Sequence, residues 1–201
     1  MYFEKENIYH IYNRGNNRQK IFFSHDNYIY FLKKIRKELL PFVDILAYCL
    51  MPNHFHLLVQ VKSLSTHSSD DLESSDELLS RKISNAIGVL LRSYTRAINK
   101  KENLTGSLFQ QKTKAKCLND YRSKTNYSSI CFHYIHQNPL IAGLIEKMED
   151  WEYSSFIDYC NLRKGTLCNK NLAEEIINFD KDYFYNQSYI AIDEKKLKNI
   201  F

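Results

Sequence analysis

The chain has 201 residues, 44% of them hydrophobic and 25% charged, which suits one domain with its own core and a modest appendage. No run approaches the ~18 apolar residues that span a bilayer, and no apolar stretch follows Glu4, Lys5 and Glu6. A membrane protein and a secretory leader are therefore excluded as readings, and a cytoplasmic location is expected.

The net charge of +5 is unevenly spread. Residues 1–62 carry +4, 63–80 carry −5, 81–145 carry +9 and 146–201 carry −3. A basic body split by an acidic segment suits a polyanionic partner, either nucleic acid or an acidic protein.

Ile8–Asn13 alternates β-branched and aromatic residues and predicts a strand, turned by Gly15 and Asn16. His25–Leu40 predicts a helix, with Ser24 or Asp26 as its cap, Tyr28, Phe31, Leu32, Ile35 and Leu39 as its apolar face, and Pro41 as its stop. Phe42–Leu50 and Phe55–Val61 predict two strands joined as a hairpin across Met51, Pro52 and Asn53.

Ser63–Ser80 is rich in serine and acid and offers little to bury, so a flexible insert is expected. Arg81–Lys100 predicts a second helix, with Arg92, Arg96 and Lys100 opposite its apolar side. Leu104–Leu118 predicts a turn at Gly106 and then a strand. In that strand Lys112, Lys114 and Lys116 alternate with Thr113, Ala115 and Cys117, which sends three ammonium groups to one face, either as phosphate contacts or as a solvated surface. Ser123–Ile145 predicts a third helix, ended or kinked where Pro139 follows Asn138. Beyond about Asp150 the periodicity weakens, and the aromatic residues there suit packing back onto the body. The order is β-α-β-β-α-β followed by a helix. It predicts an α+β fold of the ferredoxin-like, split βαβ kind: an antiparallel sheet with helices on one face, plus a C-terminal helix and tail.

Five cysteines at irregular spacings, with no paired CxxC, favour buried thiols over a disulfide framework or a zinc knuckle. His54 and His56 open the third strand two residues apart, so their rings share a face and can converge on one cation; two strand histidines are nonetheless more often structural or merely exposed. Tyr134 and Asn138 share a face of the third helix, one turn apart, where a hydroxyl and an amide oxygen can reach one site. A helical tyrosine is more often core, so spacing alone singles out no nucleophile among fifteen tyrosines.

Four segments together resemble the single-strand HUH tyrosine transposases, and among these the REP-associated tyrosine transposases. They are YHIYNRGNNRQKIFF (Tyr9–Phe23), LAYCLMPNHFHLLV (Leu46–Val59), GSLFQQKTKAK (Gly106–Lys116) and YIHQNPLIAGLI with WEYSS (Tyr134–Ile145, Trp151–Ser155). The resemblance implies a transposase/endonuclease domain over residues 1–155, with 63–80 as an insert and 156–201 as a C-terminal extension. It implies Tyr134 as the nucleophile, His54, His56 and Asn138 as ligands of Mg²⁺ or Mn²⁺, and a 5′-phosphotyrosine intermediate in the cleavage and rejoining of single-stranded or hairpin DNA. His136 is a poorer candidate because it points elsewhere on the helix. Arg14, Arg18, Lys20, Lys112, Lys114 and Lys116 are the candidate DNA contacts. A homodimer is compatible with this reading, and an inactive relative that only binds nucleic acid is the alternative.

Overall fold

The computed structural model describes residues 1–63, 75–119 and 125–201. Ile8–Arg14 (β1), Val43–Met51 (β2), His54–Val61 (β3) and Lys114–Cys117 (β4) form one sheet in the order β2-β3-β1-β4, and each neighbouring pair is antiparallel. With His25–Glu38 (α1) between β1 and β2 and Ser75–Glu102 (α2) between β3 and β4, this is the split βαβ arrangement that the sequence predicts.

Both faces of the sheet are covered. On one, Tyr9, Ile11, Phe55, Leu57 and Val59 pack against Phe31 and Ile35 of α1 and Ile83, Leu90 and Tyr94 of α2. On the other, Ala47, Cys49, Met51 and Leu58 pack against Cys131, Phe132 and Ile135 of Tyr127–Ile141 (α3). A register shift between Ile45 and Ala47 in β2 reverses that strand's alternation. As a result Ile45 and Tyr48 face the first core, while Cys49 and Met51 lie opposite His56 and His54 on the second face.

Residues 156–201 complete this second core. Short helices Phe156–Tyr159 (α4), Lys170–Ile177 (α5), Phe184–Ser188 (α6) and Glu194–Leu197 (α7) place Phe156, Ala173, Ile177, Phe184 and Ile200 against α3 and the sheet. Tyr153–Ser155 runs along the β2 edge: the Leu50 amide donates to the Tyr153 carbonyl at 3.0 Å and the Ser155 amide to the Tyr48 carbonyl at 3.0 Å. This use of the WEYSS segment leaves no open row of backbone groups there.

Three boundaries differ from the sequence reading. Helix α2 begins inside the expected acidic insert, where Leu79 and Ser80 are buried and the Ser80 hydroxyl accepts from the Phe3 amide at 2.9 Å. Residues 64–74 of that insert, and 120–124 at the expected start of the third helix, lie outside the described residues. Pro139 does not stop α3, which runs two residues further to Ile141; lacking an amide, the proline leaves the Ile135 carbonyl without its intrahelical donor close to the helix end. The helix ends instead at Gly143, whose φ of 67° allows the Gly143 amide to reach the Leu140 carbonyl and the Leu144 amide to reach the Pro139 carbonyl. Finally, Lys112 precedes β4 and does not alternate within it.

Candidate active site

The turn between β2 and β3 is built around Asn53. Its carbonyl accepts from the Gly15 amide at 2.8 Å, and its side-chain amide donates to the Arg18 carbonyl at 3.3 Å. A side chain at Gly15 would collide with the Gln19 carbonyl, so this junction requires glycine by close approach. The remaining Asn53 atom, Oδ1, accepts from Nδ1 of His54 at 2.6 Å. That bond fixes the His54 proton on Nδ1 and leaves Nε2 with a free lone pair.

His56 follows on the same face of β3, is 4% exposed, and meets the His54 ring edge-on at 5.0 Å between centroids. Tyr134 reaches the pair from α3 across the second face, its ring 5.7 Å from that of His56 at 83°. Asn138, one turn further on, donates through Nδ2 to the Tyr134 carbonyl at 2.9 Å, which leaves Oδ1 available. Its side chain lies close enough to His54 and Tyr134 to influence the titration of both. The four residues singled out in the sequence thus converge within one chain. His136 points away into the second core, where its ring meets Phe132 and Phe156 and its Nε2 shares a hydrogen bond with the Ser155 hydroxyl at 2.8 Å.

Burial dominates the electrostatics here. It lowers His54 and depresses His56 well below the ordinary imidazole range; Asn138 opposes the shift at His54, while Arg14 and the neighbouring histidines add to those at the pair. Burial likewise raises the Tyr134 phenol, with Asn138 opposing it. The site therefore presents neutral imidazoles and a protonated phenol, and neutral imidazole is the form that ligates a cation. Among the described residues no group of three or more His, Cys, Asp or Glu is placed to hold a metal ion by itself. Two imidazole nitrogens and one amide oxygen remain, a mixed set that suits a divalent ion with positions left open for other ligands.

The basic residues divide. Lys114 lies opposite Tyr12 and Lys116 opposite His10, so both share the histidine face, as does Arg14 opposite His54; all three are exposed. Arg18 and Lys20 are exposed on the loop beside the Asn53 turn. Lys112 leaves this set and lines a groove between α2 and residues 107–113, beside Arg92 and Arg96.

Two contributors have no signal in the sequence. His10 on β1 is fully buried and stacks on His56 at 5.0 Å. Phe201 packs edge-on against Tyr12 and Tyr134, both at 5.3 Å, and against His10 at 5.5 Å.

No family model matches the chain. A curated protein of Haemophilus influenzae, "Putative REP-associated tyrosine transposase", is 25% identical over 116 residues, which cover 58% of this chain and 60% of that protein. A solved structure of a REP-associated tyrosine transposase bound to a REP hairpin aligns with a TM-score of 0.51 and 18% identity, over 78% of this chain and 80% of its own. The chain resembles the REP-associated tyrosine transposases in sequence and in fold. The alignment spans 60% of the length of the curated relative, and the structural likeness is one of fold. Among the described residues, no helix is long and apolar enough to cross a membrane.

Proposed function

We propose that the chain is a metal-dependent single-stranded DNA endonuclease and strand transferase, with Tyr134 as nucleophile and His54, His56 and Asn138 as the ligands of Mg²⁺ or Mn²⁺. The observation that carries this reading is the convergence of these four side chains, from β3 and α3, on one partly buried face beside exposed Arg14, Lys114 and Lys116. A pure binding surface has no need of two imidazoles with bare nitrogens beside a buried phenol.

In the proposed reaction the Tyr134 oxygen attacks a backbone phosphorus. The Tyr134 O–P bond forms, the phenolic proton is lost, the P–O3′ bond breaks, and the departing oxygen takes up a proton as a 3′-hydroxyl. The product is a 5′-phosphotyrosine. When bound, a divalent ion would polarise the phosphate oxygens and counter the burial that raises the phenol. The protein's own part is positioning: α3 holds the phenol, Asn53 holds the His54 ring, and Asn138 sits between them. Because the ester is conserved in the tyrosine bond, a 3′-hydroxyl can reverse the step without a nucleotide cofactor.

Hairpin DNA with an adjoining single strand is the proposed substrate. The solved neighbour's bound REP hairpin and the basic face support this choice. Incubation with such DNA and Mn²⁺, followed by denaturing electrophoresis, should reveal a covalent protein–DNA band that chelation prevents. Hairpin binding without any adduct on any single strand would favour a non-catalytic binder.

A further inference from the structure

His56 has one ring nitrogen, Nδ1, engaged by Nε2 of His10 at 2.8 Å, and the other nitrogen of His10, Nδ1, engages the backbone carbonyl of Ile200 at 2.7 Å. A carbonyl only accepts, so His10 carries a proton on Nδ1. His10 is fully buried, and among the described residues no carboxylate is a hydrogen-bond or ring partner of it. A neutral ring follows, and its Nε2 must accept. His56 is then the donor through Nδ1–H, which leaves its Nε2 bare.

We propose that His10 is a positioning residue that transmits the Ile200 carbonyl to His56, selecting the one His56 tautomer able to bind a cation through Nε2 and thereby coupling metal affinity to docking of the Ile200–Phe201 segment. The inference rests on the proposed metal reading of His54 and His56. It mirrors the neighbouring histidine, whose Nδ1–H is held by Asn53. The difference lies in the origin of the lock: for His54 it is the preceding residue, whereas for His56 it is a carbonyl at the far end of the sequence. Phe201 holds that carbonyl in place by packing on His10, Tyr12 and Tyr134. Without the Ile200 acceptor the proton of His10 is free to sit on Nε2, which forces His56 to accept through Nδ1 and puts its own proton on Nε2, where a cation would bind. Outer partners of metal-binding histidines act in this way, and their loss typically costs about 10–100-fold in metal affinity.

The test uses the full chain labelled with ¹⁵N, in which long-range proton–nitrogen correlations report which ring nitrogen of His56 is protonated, together with Mn²⁺ titration. The metal-free protein should show His56 as a single Nδ1–H tautomer. His10→Phe should mix the tautomers and weaken Mn²⁺ binding by about 10–100-fold. His10→Gln, which restores a donor and an acceptor, should recover most of the affinity. A chain lacking residues 200 and 201 should behave like His10→Phe although His10 is intact.

An Nε2–H tautomer in the unaltered protein overturns the proposal without any variant, so it stays testable even where His10→Phe fails to fold. An unchanged tautomer and affinity after removal of residues 200 and 201 overturns the coupling. If the unaltered protein shows the single tautomer yet binds no Mn²⁺, the metal reading itself fails and the proposal with it. If Mn²⁺ binding is lost in His54→Ala but unaffected by every change at His10 and Ile200, the metal reading stands and the relay alone is wrong.

Discussion

The ring of Tyr134 on α3 meets the ring of His56 on β3 edge-on, 5.7 Å between centroids and 83° between planes. Tyr134→Phe keeps this packing and removes one oxygen, so folding and Mn²⁺ binding should persist while the covalent DNA adduct disappears. Tyr127→Phe, two turns earlier on α3 with its hydroxyl toward Asn199, should retain the adduct. Denaturing electrophoresis of both variants checks the assignment, and an adduct formed by Tyr134→Phe would displace Tyr134 from its role.

His54→Ala should abolish Mn²⁺-dependent cleavage while leaving hairpin affinity within about threefold, because phosphate contacts elsewhere carry binding. His54 is the cleaner choice of the two histidines, since His56 is buried and its truncation would also open a cavity. Parallel binding and cleavage assays separate the two effects; equal loss of both would count against a metal role.

Lys114→Ala and Lys116→Ala should each weaken DNA binding independently of sequence and lower the slope of log affinity against log salt by about 1. Both lie on the histidine face opposite Tyr12 and His10. Lys112→Ala, on the α2 groove, should change the slope less if DNA is bound at the histidine face. Salt titrations of the three variants order them.

Stability should fall on acidification. Burial lowers His10 and His133 to about 4 from the ordinary 6.5, so on lowering pH the unfolded chain takes up protons first. Between these values the unfolded state binds more protons, and stability rises with pH and is lost as pH falls. Each histidine contributes about 1.4 kcal/mol per pH unit in that window, roughly 2 kcal/mol between pH 7 and pH 5. Urea unfolding at the two pH values measures this, and a flat profile would show that these rings protonate inside the fold.

Arg163→Lys should destabilise the chain by roughly 1–3 kcal/mol. The guanidinium bridges both oxygens of buried Asp158, at 2.6 and 2.7 Å, and also reaches the Tyr48 hydroxyl at 2.7 Å and the Ser154 carbonyl at 3.0 Å. A single ammonium cannot reproduce that fork, and a melting temperature unchanged by the substitution would show the network to be dispensable.

The periods of β1, α1, β2, β3 and the body of α2 are legible without a structure, because each element buries one face and its apolar residues recur at the spacing of that face. The same logic paired His54 with His56 and Tyr134 with Asn138. Period two could not say which side of the sheet would meet α3. That choice depends on the β2 register shift and on where residues 156–201 return, so His10, whose strand neighbours look equally apolar, carried no mark of its role. The tail escaped for a related reason: its helices run four to eight residues, too short for a period to accumulate, and it is held by aromatic contacts such as Phe156 with Phe184 and Phe132 with Phe179. Sequence alone could name a histidine pair and a tyrosine as candidates. Only tertiary packing brought them together and set the His10–Ile200 contact beside them, because a hydrogen bond between residues 190 positions apart follows from the path of the whole chain and from no local pattern.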